Sequence, residues 1–412
     1  MSKKAVKNLI VGLDIGTSKI VALVGEVSTE GHVEVIGIGS YPSHGLKRGV
    51  VVNIEATVQS IQHAIKEAEL MAGCEIHSTY TGIAGSHIRS LNSHGMVAIR
   101  DKEVFLADVE RVIDAAKAVA IPADQKILHI LPQEYAIDNQ AGIREPVGMS
   151  GVRLEAKVHI VTGAVSAAQN IVKCVQRCGL EVEDIILEQL ASSYAVLGED
   201  EKDLGVCMID IGAGTTDIAL FTGGSIRHTA VIPIAGDQVT NDIAIALRIP
   251  TKYAEDIKIK HGCALPISAE QNETIDAPHV ARRATTPLSK KILSEVIHAR
   301  YEELFMLVLA ELRRHGLENI IASGMVITGG ASQIEGAAEL AESIFQMPVR
   351  VGMPQHVRGL TDVLDSPSYS TSVGLLLYAY RQQYEGGNPE LIVRSGLRAT
   401  WGRVKNWFQG NF

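Results

Sequence analysis

Two short stretches 196 residues apart, measured from Asp14 to Asp210, constrain this chain more than any other feature. LDIGTSKIVAL (13–23) and MIDIGAGTTDIALF (208–221) each run an apolar strand into an aspartate and a tight glycine turn. A second apolar strand leaves each turn. The neighbouring elements repeat as well. After the hairpin at 8–27 come a third strand, HVEVIGIGSY (32–41), and a helix at 54–73. On that helix Val58, Ile61, Ile65 and Leu70 are expected near one face, with Gly73 as the stop. LGVCMIDIG, GTTDIALFTGG, SIRHTAVIPI and a helix from about Asp237 to Leu247 reproduce that order. An internally duplicated α/β domain is the simplest reading.

Between the repeats, β-like sequence at 82–104, a helix at 107–120 and strands at 127–138 and 155–164 predict a βαββ-type insertion of roughly 80 residues. Helices are expected at 166–178 and 188–197, and a helical region at 252–315 broken by a loop near 266–278. QQYEGGNPE (382–390) reads as a linker before a basic, aromatic tail.

Each turn presents consecutive backbone N–H groups and hydroxyls, a nest suited to phosphate oxygens. The first supplies Gly16, Thr17 and Ser18; the second supplies Gly212, Ala213, Gly214, Thr215 and Thr216. Asp14 and Asp210 end the strands beside them. Two carboxylates facing a polyphosphate would repel it, so Mg²⁺ between them, held largely through water, is the expected solution. The alternative is a pair of ordinary β-hairpin turns, where Gly, Asp and Thr are common. A third element, MVITGGASQIEGAAEL (325–340), ends a strand in Gly329-Gly330 and starts a helix, so a ribose or flat ring could lie against its backbone. Helix-packing glycines would explain that pair as well.

Composition narrows the classes. The 412 residues, 46% hydrophobic and 21% charged, suit two or three globular domains. A net charge of −9 argues against general nucleic-acid binding. Five cysteines without a CxxC pair argue for reduced thiols in a cytoplasmic protein. No stretch reaches the ~18–20 apolar residues that span a bilayer, and the run Leu9–Val11 is too short for a signal peptide. Membrane contact is therefore expected only at the surface.

The tail suits such contact. Leu397, Trp401, Val404, Phe408 and Phe412 fall on one helical stripe, with Trp407 beside it and Arg394, Arg398, Arg403 and Lys405 adding positive charge. Each basic residue near an anionic surface adds roughly 1 kcal/mol. One copy would bind weakly and reversibly, and assembly into a filament would strengthen binding through avidity. A tail helix packed on its own domain is the alternative.

The ordered set of first turn (13–19), second turn (209–217) and GG turn (326–332) resembles the actin/Hsp70/sugar-kinase ATPase superfamily. The helices LEQLASSYAVL (187–197) and YSTSVGLLLYAY (369–380) match its two connecting helices. The placement of the insertion and the basic aromatic tail are similar to the FtsA family of bacterial actin relatives. The resemblance implies an α/β, actin-like (ribonuclease H-like) fold: duplicated ATPase domains flanking a nucleotide cleft, with an inserted small α+β subdomain.

It further implies a first actin-like subdomain, 1A (1–83, 163–195 and 346–382), and an insertion, 1C (84–162). A second actin-like subdomain, 2A (196–240 and 301–345), and a small helical one, 2B (241–300), follow. A linker (383–396) and a membrane-targeting amphipathic helix (397–412) complete the chain. Asp14 and Asp210 would serve the metal and its waters. Gly16, Thr17, Ser18, Gly212, Gly214, Thr215 and Thr216 would hold ATP phosphates, and Gly329, Gly330 and Ser332 the nucleoside. Lys258 would reach the ribose. Glu188 falls where the superfamily orients or deprotonates the attacking water; a helix-surface glutamate is the plain alternative. Asp217 stands in place of actin's cleft histidine, a departure in the hydrolytic arrangement; hydrolysis, if present, is expected to be slow or regulatory.

The implied function is an ATP-binding cell-division protein that polymerises with itself and anchors FtsZ filaments at the cytoplasmic face of the bacterial inner membrane, at the division site. Arg282, Arg283, Lys290, Lys291 and Arg300 in 2B would suit the acidic C-terminal tail of FtsZ, and the insertion would meet later division proteins. The alternative is a soluble small-molecule kinase or phosphatase of the same superfamily. It would need an aspartate base beside a polar pocket, and no segment stands out as one.

Overall fold

The apolar runs around Asp14 and Asp210 form the central hairpins of two sheets. The computed structural model describes residues 8–266, 273–278 and 285–384. β1 (Leu9–Ile15), β2 (Lys19–Val27) and β3 (Val33–Pro42) make an antiparallel meander. A two-rung hairpin follows, β4 (Leu46–Lys47) and β5 (Val50–Val51). α1 (Ile54–Ala72) then crosses the sheet and returns the chain to β6 (Ser78–Ile83), parallel to β1. Asn53 caps α1 through its side chain, and Gly73 ends it in the left-handed region at φ 63°.

Val58, Ile61 and Ile65 of α1 are buried as expected, but Leu70 is 76% exposed. Five residues past Ile65 lies ~140° round the helix, so the buried stripe continues through Ala64 and Ala68 instead. Small residues are needed there. A Cβ on Gly39 would stand 1.8 Å from the Ala64 carbonyl oxygen, so sheet and helix backbones nearly touch.

The insertion folds as β7 (Arg89–Ala98), α2 (Leu106–Lys117), β8 (Gln125–Ile137), β9 (Gln140–Ile143) and β10 (Arg153–Ala164). Its sheet runs β7-β10-β8-β9, wholly antiparallel, with α2 on one face and a core of its own around Ile113, Leu154 and Ile160. The β-like stretch at 82–104 divides between the end of β6 and β7, and β9 adds a strand to the expected βαββ.

α3 (Val165–Arg177), β11 (Glu181–Leu187) and α4 (Glu188–Val196) return the chain to the first half. After α5 (Glu199–Leu204) come β12 (Val206–Ile211), β13 (Thr216–Thr222), β14 (Ser225–Ile232), α6 (Gly236–Leu247) and α7 (Thr251–His261). The expected loop near 266–278 contains a strand, β15 (Thr274–Pro278), which pairs antiparallel with β16 (Thr285–Ser289) in the stretch expected to be helical, so the region is not all helical outside that loop. α8 (Lys290–Arg314), β17 (Met325–Thr328), α9 (Ala337–Phe345) and β18 (Val349–Val351) follow. Then come β19 (Val357–Arg358), α10 (Thr361–Leu364) and α11 (Ser370–Tyr384).

The sheets are ordered β11-β6-β1-β2-β3-β19 and β14-β13-β12-β17-β18. Each contains a three-strand antiparallel meander extended on one side by two parallel strands, with β19 added parallel to β3 in the first sheet, so the duplication extends to topology. Two expected boundaries move. β18 pairs with β17, which puts residues 349–351 in the second sheet rather than with the first half. α8 runs unbroken through positions 300 and 301, where two subdomains were expected to divide.

α4 and α11 pack together between the sheets. A Cβ on Gly374 of α11 would lie 1.9 Å from the Ala191 carbonyl oxygen of α4, so glycine sets how closely they cross.

Candidate functional site

The two glycine turns and the GG turn line one cleft of about 500 Å³ between the halves. In the first turn Thr17 Oγ1 accepts a hydrogen bond from the Gly49 N–H at 3.0 Å, holding the turn against the β4–β5 hairpin. In the second, the Gly212 N–H bonds the Thr215 carbonyl at 3.0 Å, and the Asp237 N–H bonds the Ala213 carbonyl at 2.8 Å. That second bond fastens the turn to the start of α6. Gly214 lies against the opposite half: a Cβ there would be 2.6 Å from Thr17 Oγ1 and 2.8 Å from Arg48 Cα. Gly329, at φ 85°, approaches Asp210 so closely that a Cβ would sit 2.3 Å from its Oδ1.

The paired helices orient the two aspartates. Ser372 of α11 donates to Asp14 at 2.9 Å. Ser192 of α4 donates to Asp210 at 2.6 Å, and Thr371 of α11 donates to it at 3.3 Å. Glu188 begins α4 directly after β11 and also lines the cleft. Gly82, at the end of β6, leaves it room: a Cβ there would be 3.2 Å from Glu188 Oε1. Asp217 completes a group of four carboxylates. Thr215 donates to its Oδ2 at 2.8 Å, while its buried Oδ1 has no protein partner.

All four acids are displaced in one direction. Burial, reduced by the Ser372 hydrogen bond and Lys19 and aided by Asp210, raises Asp14 to about 6. Burial and the Asp210 charge raise Asp217 to about 8. Burial raises Asp210 above its ordinary value. Burial and the charges of Asp14, Asp217 and Asp210 push Glu188 well up. Such a set is under-neutralised and suits a hard divalent cation with an oxygen-rich shell, as Mg²⁺ requires.

Of the residues expected here, Asp14, Gly16, Thr17, Ser18, Glu188, Asp210, Gly212, Gly214, Thr215, Lys258, Gly329 and Gly330 line the cleft. Thr216 and Ser332 do not. Thr216 is buried in β13 and donates to the Ile234 carbonyl at 2.8 Å. Ser332 is buried and donates to the Gly329 carbonyl at 2.7 Å, supporting the turn from behind. Lys258 is held by the Gly236 carbonyl at 3.1 Å, Thr240 at 2.8 Å and Glu255 at 2.7 Å.

Lys19, absent from the expected set, lies in the cleft wall. Its ammonium is 3.1 Å from Ser368 Oγ and 3.7 Å from the Tyr369 ring centre. Its signal was its place directly after the first turn. The hydroxyls of α11 were signalled only by the run Ser-Thr-Ser at 370–372.

The expected basic cluster is largely committed elsewhere. Arg300 pairs with Asp242 at 2.6 Å and with Glu303, Lys290 with Glu273, and Lys291 with Glu295 at 3.9 Å. Arg282 and Arg283 lie outside the described residues, as do all the tail positions from Leu397 to Phe412. Among the described residues no helix is long and apolar enough to cross a membrane.

Two sheets of matching topology around a cleft walled by two Asp-Gly turns define an actin-like ATPase fold. Solved structures agree at the level of fold. The PilM-PilN type IV pilus biogenesis complex matches with a TM-score of 0.65 and 16% identity, over 90% of this chain and 98% of that one. MreB5 of Spiroplasma citri bound to ADP matches at 0.57 and 17%, over 92% and 99%. The family model "Cell division protein FtsA" matches residues 207–374, and "SHS2 domain inserted in FTSA" matches 85–162. Cell division protein FtsA of Pseudomonas aeruginosa is 66% identical over 409 residues, 98% of each chain. Its counterpart in Escherichia coli strain K12 is 47% identical, with full coverage of both. The chain belongs to the FtsA family of cell division proteins. Nothing in these relatives supports the small-molecule kinase or phosphatase reading.

Proposed function

We propose that this protein binds ATP with Mg²⁺ in the cleft, polymerises with itself, and anchors FtsZ filaments to the cytoplasmic face of the bacterial inner membrane at the division site. The observation that carries the reading is the meeting of two equivalent Asp-Gly turns across one cleft of about 500 Å³, in a chain whose relatives are named for cell division.

Gly16, Thr17, Ser18, Gly212, Gly214 and Thr215 would hold the phosphates, and Gly329 and Gly330 the nucleoside, with Lys258 near the ribose. Asp14 and Asp210 would hold the cation through water. The cation would neutralise phosphate charge. Lys19, a cation in the cleft wall, adds a candidate phosphate contact. Glu188 would accept a proton from an attacking water once the bound cation offsets the neighbouring carboxylate charges that, with burial, raise it. Asp217 keeps a proton near neutrality, so it can donate a hydrogen bond where actin has a histidine. Hydrolysis, where it occurs, is slow or regulatory on this reading.

The proposed division of labour follows the expected subdomains, with 349–351 reassigned to 2A. The inserted subdomain, 84–162, would meet later division proteins. The small subdomain, 241–300, would receive the acidic tail of FtsZ, with Lys291, whose 3.9 Å pairing with Glu295 is the longest in the described part of the expected basic set. The tail helix, 397–412, would lie in an anionic membrane surface, and assembly of many copies would multiply its weak individual binding.

The test is co-sedimentation with anionic liposomes, with and without ATP–Mg²⁺, for the full chain and a chain ending at Glu390. Binding that requires the tail and rises with nucleotide is expected. Tail-independent binding, or none for the full chain, would overturn the anchor.

A further inference from the structure

Away from the cleft, one cluster has the composition of a metal centre. His228 on β14 and Glu311 and His315 at the end of α8 bring their ligand atoms within 4.8 Å of one another. Both imidazoles direct Nε2 at the same oxygen, Glu311 Oε1, each at 3.1 Å. Their ring centres are 4.4 Å apart. Glu311 and His315 are four residues apart and share one helix face. Arg314 stands 3.7 Å from the other carboxylate oxygen, Oε2, and leaves Oε1 to the histidines. Exposure is graded: the side chains of His228, Glu311 and His315 are 11%, 21% and 38% exposed, which gives the cluster a wet side.

We propose that His228, Glu311 and His315 form a binding site for a borderline divalent transition metal, with Zn²⁺ the best match. Two imidazole nitrogens and one carboxylate oxygen are a standard donor set for Zn²⁺, with the fourth position left to water. Bonds of ~2.0–2.1 Å at tetrahedral angles put neighbouring ligand atoms about 3.3 Å apart. The two 3.1 Å separations need to open by a few tenths of an ångström, while the two imidazole nitrogens, within 4.8 Å of each other, take up the remaining adjustment.

The place in the fold gives the site a structural role. Thr229, the next residue on β14, bonds His159 of the inserted sheet through its hydroxyl at 2.9 Å, and its carbonyl accepts from Ser90 Oγ at 2.9 Å. A metal on His228 therefore ties the end of α8 to the strand against which the insertion rests. The site is independent of the nucleotide cleft.

The full chain, freed of metal by chelator and desalted, is titrated with Zn²⁺ by calorimetry and with Co²⁺ by visible absorption. His315→Ala, at the most exposed ligand, and Glu311→Gln are compared, with circular dichroism as the check on folding. One Zn²⁺ per chain is expected, with Co²⁺ bands of a four-coordinate nitrogen–oxygen site and affinity at least about 10-fold weaker in each variant. No binding at up to millimolar Zn²⁺, or binding equal in wild type and both folded variants, would overturn the proposal. The cluster would then be a hydrogen-bonded network alone.

Discussion

Asp217 holds a proton that the unfolded chain would release in the ordinary carboxylate range, because burial and Asp210 raise it to about 8. Between those values the folded state binds more protons than the unfolded one. Stability of the nucleotide-free protein therefore falls as pH rises through the window, and the loss is complete above the folded value. Asp14, raised to about 6, acts in the same direction over a narrower span. Urea unfolding from about pH 5 to about pH 8 should show this decline, and Asp217→Asn should flatten its upper part. An unchanged slope in that variant would assign the decline elsewhere. Glu188→Gln addresses chemistry rather than stability. ATP affinity should persist while single-turnover phosphate release slows by about 10²-fold or more, the usual contribution of a positioned base. Equal rates would leave Glu188 a buried structural acid. These residues were legible because each sits beside a glycine turn or at a helix start. Lys19 was not, because a lysine after a turn is ordinarily solvated.

The crossing of α4 and α11 shows how an element transmits its geometry to the cleft. With Gly374 replaced by Ala, the new methyl would stand 1.9 Å from the Ala191 carbonyl. The helices must separate, at a cost of about 1–3 kcal/mol for an overpacked contact. Ser192, Thr371 and Ser372 would move away from the aspartates with them. Thermal melts should show lower stability, and fluorescent-nucleotide titration should show weaker binding. Gly73 supplies the control: it has φ 63° and nothing near a would-be Cβ. Gly73→Ala should cost about 1 kcal/mol of stability with nucleotide affinity unchanged. Elements with apolar periodicity and glycine stops were legible, and those without were not. β11 reads EVEDIIL, with three acids before its apolar end, and its alternating exposure follows only from its place at the sheet edge. β15 and β16, TIDAP and TTPLS, carry proline and few apolar residues, so they give no strand signal.

At the scale of the whole molecule the two halves meet where Gly214 approaches Thr17 and Arg48. Gly214→Ala should hold the halves apart and weaken nucleotide binding by roughly 10-fold, equivalent to about 1.4 kcal/mol of strain. Unaltered affinity would place the working closed state elsewhere. The duplicated Asp-Gly turns, the order of strands around them and the insertion were determined by the sequence alone. Each is written in contiguous residues whose polarity and backbone freedom act locally. Tertiary structure alone decided which distant side chains share an environment. It sets Ser372 on Asp14, 358 positions away, and gathers four acids in one cleft. It turns Thr216 and Ser332 away from the cleft and aims His228 and His315 at one oxygen of Glu311. Those pairings depend on the distance and angle at which helices and sheets pack, and no window of sequence carries that information.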